Sequence, residues 1–401
     1  MAKIEERIMN RRLFLKNMGV IGAGAIAMGP LMGDMAWAKD INGGREIFTV
    51  QDDERQRTLN YMTWNGYDAD RVLDPFRKRY KCKINCELLT SDPDAIMKLK
   101  AGAKRQFHII TLNNCWAKGM YRNGLIQELD NNTYKPFFKN MIPRYHWPFK
   151  WAMSDYNKLL GMPMRYGPFN FVINNKAISK KTAEDQGWDL FSDNKQKGKW
   201  AILNWDNWVL YHMCQGAGVY PFKKHTYEEM KKVEKMAFKW FKNAKFVTES
   251  EVEANNALIN REIDYYVCGG NYTASPPRRE GRLEVQAVTP RKGAMKNGGG
   301  GIVWIELTSI VNNPKPSPLA DDFLAYMQEP EIAYQIAMAD STHNPVARMS
   351  DPKVFNKFSK KDLQAIQYDD LNEDLKYCED YDDNPDYLKM MRFYRRAKSA
   401  R

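Results

Sequence analysis

Leu59-Asn60-Tyr61-Met62-Thr63-Trp64, then Asp70 to Tyr80, then Ile84-Asn85-Cys86-Glu87-Leu88-Leu89 set the rhythm from which the fold is read. The first run is short, largely apolar and closes on an aromatic, the pattern of a buried strand. The second places Val72, Leu73, Phe76 and Tyr80 at helical spacing, and the third is a strand again. Ser91-Asp92-Pro93 follows, a capping serine with proline in the first turn, and opens a helix through Ile96, Met97 and Leu99. Phe107 to Leu112 reads as a third strand, leading to a helix from Trp116 to the Gly124 stop. Strands alternating with helices at this spacing give a mostly parallel sheet with helices on both faces. Ligands of such sheets bind beyond the carboxyl ends of the strands. That places Trp64, Tyr67, Asn113, Asn114 and Cys115 at the expected site.

Further along, Asn131 to Leu160 is aromatic and punctuated by proline, longer than a simple connection. Gly161 to Tyr166 is a strand that continues through Phe169 to Asn174. A second βα set spans 197–265: the Gly198 to Leu203 strand, a helix from Asp206, a charged helix from Thr226 to Lys242, and a helix from Glu251 to Asn260. Strands at Ile263 to Cys268 and Ile302 to Val311 come next. The last third reads as helices at 318–328, 330–339, 350–367 and 384–398 between acidic loops. No repeat with a solenoid period is visible.

The N-terminus says where the chain works. Asn10-Arg11-Arg12-Leu13-Phe14-Leu15-Lys16 leads into a mild apolar stretch, Met18 to Met32, and then to Ala36-Trp37-Ala38. Charged head, short apolar middle and small-residue cleavage site form an export signal, and the RRxFLK core is similar to twin-arginine signals. About 15 weakly apolar residues fall short of the roughly 20 that a membrane span needs. The expectation is cleavage after Ala38, no lipid anchor, a loose arm over 39–57, and a mature protein soluble in the periplasm. The formal charge is +12, and 11 Trp and 21 Tyr accompany it. In the cytosol that combination would suggest nucleic acid. Export removes that partner and leaves a solvated basic surface that favours anionic membrane faces. Among the six cysteines, Cys82 and Cys86 stand four residues apart on a strand. That is about 13 Å, beyond disulfide reach. Mostly free, buried thiols are expected, with room for one bridge.

Catalytic signatures are mostly missing: no GxSxG, no HExxH, no GxxxxGK[ST]. His108, His146, His212, His225 and His343 lack metal spacing and read as packing or surface residues. The Gly298–Gly301 run has no following Lys-Ser/Thr, so it reads as a loop passing close to another backbone. Cys115 at a strand end has no basic partner in sight. Aromatic density at strand ends does stand out: Trp64, Tyr67, Trp116, Tyr166, Trp205, Trp208 and Trp304. Some of these simply pack. Several facing one cleft would hold a cation against ring faces, about 0.5–2 kcal/mol each. Glu306, two residues after Trp304 on one strand, points to the same side as a counter-charge.

The order of these pieces resembles periplasmic solute-binding proteins of ABC importers, specifically the spermidine/putrescine-binding group. The likeness rests on Thr63-Trp64-Asn65-Gly66-Tyr67 and Gly124-Leu125-Ile126-Gln127-Glu128-Leu129-Asp130, then on Pro163-Met164-Arg165-Tyr166-Gly167 and Lys197-Gly198-Lys199-Trp200-Ala201-Ile202-Leu203. Arg261 to Val267 and Gly300-Gly301-Ile302-Val303-Trp304-Ile305-Glu306 continue it. Ala333-Tyr334-Gln335 and Asn344-Pro345-Val346-Ala347-Arg348 complete it. It covers Leu59 to the C-terminus and is weakest at 131–160 and over the tail. No single motif is diagnostic; their order is.

What the resemblance implies is an α/β, type II-like bilobal periplasmic-binding-protein fold: two mixed-sheet lobes with a hinge and a ligand cleft between them. Lobe 1 takes 58–160 and 266–314, lobe 2 takes 161–265 and 315–401, with hinge crossings near Gly161, Cys268 and Asn313. The chain would be the binding component of an ABC importer, a monomer without cofactor, handing a small polyamine-like amine to a permease. Trp64, Tyr67, Asn114, Arg165, Tyr166, Trp205, Asp206, Trp208, Trp304, Glu306 and Gln335 would form its site. The departures bear on the ligand. Trp205 and Trp208 stand where the family's carboxylates are expected, with Asp206 between them, and Cys268 replaces an aromatic. Arg165 beside the cleft would repel a di-cation, so a zwitterion such as a betaine or amino acid, its carboxylate on Arg165, is the alternative. From another class, an exported enzyme with an unrecognised cofactor remains the rival.

Overall fold

The computed structural model describes residues 56–339 and 343–401, and of Asp206 only the backbone. The export signal, the Ala38 cleavage site and most of the N-terminal arm lie outside the described residues. The strands are β1 Thr58–Thr63, β2 Lys83–Leu88, β3 Ile109–Asn113, β4 Met162–Asn174 and β5 Trp200–Leu203. β6 Phe246–Thr248, β7 Tyr265–Gly270, β8 Val285–Val288, β9 Gly301–Ile310 and β10 Cys378–Asp380 follow. The helices used below are α1 Asp70–Tyr80, α2 Asp92–Lys100, α3 Asp206–Gly216, α4 Tyr227–Asn243, α5 Glu251–Ile259, α6 Asn271–Arg279, α7 Pro330–Ala337 and α8 Tyr387–Ser399.

Local chemistry sets these elements where the sequence places them. The Ser91 hydroxyl accepts from the Asp94 amide at 3.2 Å at the start of α2, and Thr226 with Glu229 forms a capping box on α4. The Asn131–Leu160 stretch is not featureless. Asp130 caps a helix over Asn131–Phe138, and Tyr134, Phe138, Tyr145 and Phe149 enter a core. α6 is absent from the sequence reading because Pro276 and Pro277 sit inside it.

The strand order is β2-β1-β3-β9-β4-β7-β5-β6, with β10 on β9 and β8 on β4. β1 pairs parallel with β2 and β3, and β5 pairs parallel with β6 and β7. The long β4 and β9 run antiparallel to each other and join the two parallel sets. Each set has its own core. The first gathers β1–β3 with Met162, Met164, Tyr166, Val303, Ile305 and Leu307. The second gathers Phe169, Phe171, β5–β8, Ile302 and Trp304. Successive side chains on β9 thus feed opposite cores, as the pleat requires.

The cores divide the chain differently from the expected lobes. Residues between 319 and 378 pack on the first core, and only Tyr381 to Ala397 on the second. Val267, Cys268 and Val285 to Val288 belong to the second core, not the first. The chain passes between cores at Tyr166–Phe169, over Ile302–Ile305 and at Cys378–Tyr381, rather than near Gly161, Cys268 and Asn313. The reason is that β4 and β9 are long enough to serve both sheets, and a helix's apolar stripe does not reveal which sheet it covers. The Gly298–Gly301 run does lie against other backbone. A Cβ at Gly299 would meet the Tyr377 carbonyl oxygen at 2.2 Å, and one at Gly300 the Lys292 carbonyl oxygen at 2.4 Å. All six cysteines are free thiols.

Candidate functional site

The carboxyl ends of the second parallel set carry Trp205 after β5, Glu251 after β6 and Tyr272 after β7. Their rings build one aromatic wall. Phe169 stacks on Trp205 with centroids 5.6 Å apart and planes within 3°. Trp208 meets Phe169 edge-on at 5.0 Å. Tyr272 stands edge-on to both Trp205 at 6.0 Å and Trp304 at 6.5 Å. Trp205, Trp208 and Tyr272 are half-buried, and Trp304 is buried. Trp208 also leans on Tyr381 at 4.5 Å.

Beside this wall a closed electrostatic unit holds β4 to β9. Pro163 pairs with Leu307 and Tyr166 with Ile305, so Met164 and Arg165 both stand against Glu306. This is a β-bulge, and it aims Arg165 across the strand pair. Arg165 Nε and Nη2 each donate to a Glu306 carboxylate oxygen at 3.0 Å. Nη1 donates to the Asn65 carbonyl at 3.0 Å. The Tyr67 hydroxyl donates to Glu306 Oε2 at 2.5 Å, and the guanidinium lies 4.3 Å from the Tyr67 ring centroid. Arg165 is 1 % exposed and Glu306 5 %. Burial works against the charge of Arg165, yet Glu306 and Tyr67 hold its pKa above the ordinary arginine value.

This corrects three expected roles. Glu306 is not a bare counter-charge and Arg165 is not an open carboxylate anchor, because the forked guanidinium and the carboxylate answer each other. The buried Tyr67 hydroxyl donates to Glu306 and accepts from the Arg165 amide at 3.3 Å, rather than serving as an exposed wall. Asn114 is spent as well: its amide donates to the Tyr381 carbonyl at 2.7 Å and its oxygen faces the Ile305 amide at 3.5 Å. Tyr166 points into the first core against Tyr145 at 5.1 Å, one step out of phase with Gly167, which faces Trp304. Gln335, on α7, donates to Glu331 one turn back at 2.8 Å on an exposed face. Trp64 is half-buried against the first core beside Asn65, and the side chain of Asp206 lies outside the described residues. Of the expected set, the structure gathers Trp205, Trp208 and Trp304 on one wall and ties Tyr67, Arg165 and Glu306 beside it.

Three residues were missed. Phe169 and Tyr272 belong to the wall. Glu251 opens α5 behind the Ser250 cap, whose hydroxyl accepts from the Glu253 amide at 3.2 Å. It is half-buried and makes no hydrogen bond or ion pair among the described residues, and burial pushes its carboxyl up to about 7. Tyr272 links the two groups electrostatically. Its hydroxyl is pushed up by burial first, then by Glu251, while Arg165 opposes and Glu306 adds. Glu251 escaped notice because β6 is three residues long, so its carboxyl end gives no pattern to read.

Cys115 has its thiol pushed well up by burial and then by Asp92. His212 is buried, pushed down to about 3 by desolvation, and donates from Nε2 to the Phe169 carbonyl at 2.8 Å. His108 accepts from the Asn60 amide at 3.0 Å.

Two α/β halves on separate cores, joined by strands that serve both, with an aromatic wall at the carboxyl ends of one parallel set, form the bilobal fold of periplasmic binding proteins. A substrate-binding protein of a spermidine/putrescine ABC transporter from Streptococcus pneumoniae superposes with a TM-score of 0.64 at 17% identity, over 85% of this chain and 99% of that one. In sequence, the chain is 23% identical over 330 residues to the spermidine/putrescine-binding periplasmic protein of Escherichia coli, covering 79% of this chain and 87% of the relative. It is 21% identical over 341 residues to spermidine/putrescine-binding periplasmic protein 1 of Haemophilus influenzae, covering 81% and 87%. No family model matches the chain.

Proposed function

We propose that this chain is the periplasmic substrate-binding component of an ABC importer, taking a small organic amine and delivering it to a membrane permease. The observation that carries this reading is Glu251, an unanswered carboxylate whose charge acts on the Tyr272 hydroxyl, with the Tyr272 ring edge-on to Trp205 in the aromatic wall. Ring faces attract a cation by about 0.5–2 kcal/mol each, and a charge-assisted bond to a carboxylate is roughly twice as strong as a neutral one. An ammonium draws on both parts of that pairing, and a simple anion is repelled by the carboxylate. Asp206 follows Trp205 directly in the chain, and we assign it the second ammonium of a diamine, the ligand class for which the relatives are named. The zwitterion alternative needs an open Arg165, whose fork is engaged by Glu306. Against the enzyme alternative, the half-buried Cys115 has its thiol pushed well up by desolvation and by Asp92, which disfavours the thiolate.

Closure of the halves about the three crossings would trap the ligand for delivery. The protein reaches the periplasm through the twin-arginine machinery, is cut after Ala38 and acts as a monomer. The test is a thermal-shift panel of putrescine, spermidine, glycine betaine, amino acids and sugars. A ligand that binds only the folded state raises Tm with concentration. Amines should raise it, and Glu251→Gln should abolish most of the rise. Stabilisation by a sugar or a simple anion, with none by any amine, would defeat the reading. Export is tested separately: Arg11→Lys with Arg12→Lys should leave uncleaved precursor in the cytoplasm.

A further inference from the structure

The second half carries a basic face that the cleft does not use. The 17-residue α4 and the 13-residue α8 lie side by side there. Phe241 meets Tyr394 at 5.2 Å and Arg396 pairs with Glu234 at 2.6 Å. A groove of about 630 Å³ runs between these helices and the loop before β5, lined by Lys197, Phe238, Lys239, Lys242, Ala397 and Ala400, with Asn194 and Asn243. No carboxylate is among its lining residues. It lies where the chain enters β5 and β6, at the opposite end of those strands from Trp205 and Glu251.

Both helices have already buried their apolar stripes. Val233, Ala237, Trp240 and Phe241 of α4, and Met390, Met391, Tyr394 and Ala397 of α8, sit in the second core. The outward stripes therefore have no folding role to fill. On α4 that stripe holds Lys235, Phe238, Lys239 and Lys242; on α8 it holds Leu388, Arg392 and Arg395. Lys235, Lys239, Lys242, Arg392 and Arg395 make no ion pair among the described residues. Phe238 is 38% exposed and Leu388 78%.

We propose that this face docks on an anionic bilayer surface. The charges are spread along two helices of about 25 and 20 Å rather than converging on one point, so they suit a sheet of headgroups better than one small anion. Phe238 and Leu388, set among the cations, are placed to enter the headgroup boundary. Each basic side chain held near an anionic membrane strengthens binding about fivefold. This would keep a basic carrier close to the membrane while its cleft stays free. The inference stands whatever occupies that cleft.

Flotation of the full chain with phosphatidylglycerol-containing vesicles, against pure phosphatidylcholine vesicles, tests it. Binding is expected to the first and not the second, and to fade in about 1 M salt, where charges are screened within about 3 Å. Lys235→Glu with Lys239→Glu and Lys242→Glu should weaken it on the order of a hundredfold. Reversing Lys78, Lys100 and Lys139 to Glu, exposed on the first half, should cost far less. The N-terminal charges are common to all three proteins, so the ratio reports the face alone. An unchanged Tm and retained amine binding in the first triple variant show that it folds. Failure of the parent to float, equal loss in both triple variants, or capture by polyglutamate instead of vesicles would each overturn the proposal.

Discussion

Glu306 and Glu251 both act on Tyr272, yet the protein answers one and leaves the other open. Glu306 receives two bonds from Arg165 and one from Tyr67 and is sealed between strands. Glu251 sits at the start of a helix with no partner among the described residues, and burial alone shifts it. The first is a clasp that holds β4 to β9 where the chain passes between cores; the second is a charge held ready for something from outside. An acid near a cleft is therefore not a ligand group by position alone. What decides is whether its charge is already met.

The largest effect should come from breaking the clasp. Arg165→Met or Glu306→Leu strands a buried charge and should cost about 3–5 kcal/mol, while the double variant should recover most of it. Chemical denaturation measures all three. A small stability loss with a collapse of amine affinity would instead make Glu306 a ligand group. Next is the wall: Trp205→Ala should lower amine affinity by about 1–2 kcal/mol, near tenfold, by calorimetry. The comparison can also be sharpened through stability. The Glu251 carboxyl is raised from 4.5 to about 7 in the folded chain, so the unfolded chain ionises first. That cost is absent below about pH 4.5, grows through pH 7 and stays above it. Glu251→Gln should then melt higher than the parent at pH 8 and the same at pH 4. Smallest of all, Lys181→Ala removes a pair with Asp185 at 2.8 Å on an exposed helix face. It should leave Tm unchanged, because such a pair is screened by water.

How much of this was legible follows the range of the interactions. β1 to β3 with α1 and α2 lie where periodicity and caps place them, because turn-by-turn spacing and the Ser91 cap are local. Trp205 lies just past the carboxyl end of β5, where the strand reading places it, whereas Trp208 lies inside α3 and Trp304 inside β9. The Arg165–Glu306 clasp was not readable, since its partners are 141 residues apart and meet through a bulge that leaves no mark in the sequence. Tyr166 shows the cost of one residue of phase: beside Gly167 in the chain, it points into the opposite core. The lobes were misdrawn for a related reason, because strands shared by two sheets carry no boundary that composition can display.

The most direct measurement is amine affinity between pH 6 and pH 8, in the parent and in Glu251→Gln, with putrescine as the probe. An ammonium that needs ionised Glu251 should bind the parent about tenfold more tightly at pH 8 than at pH 6, because a carboxyl near 7 is mostly protonated at the lower value. Glu251→Gln should bind weakly and without that slope. A parent profile that is flat over this range, or a Glu251→Gln protein that keeps the parent's affinity and slope, would contradict the assignment of Glu251 as the group that meets the ligand's charge.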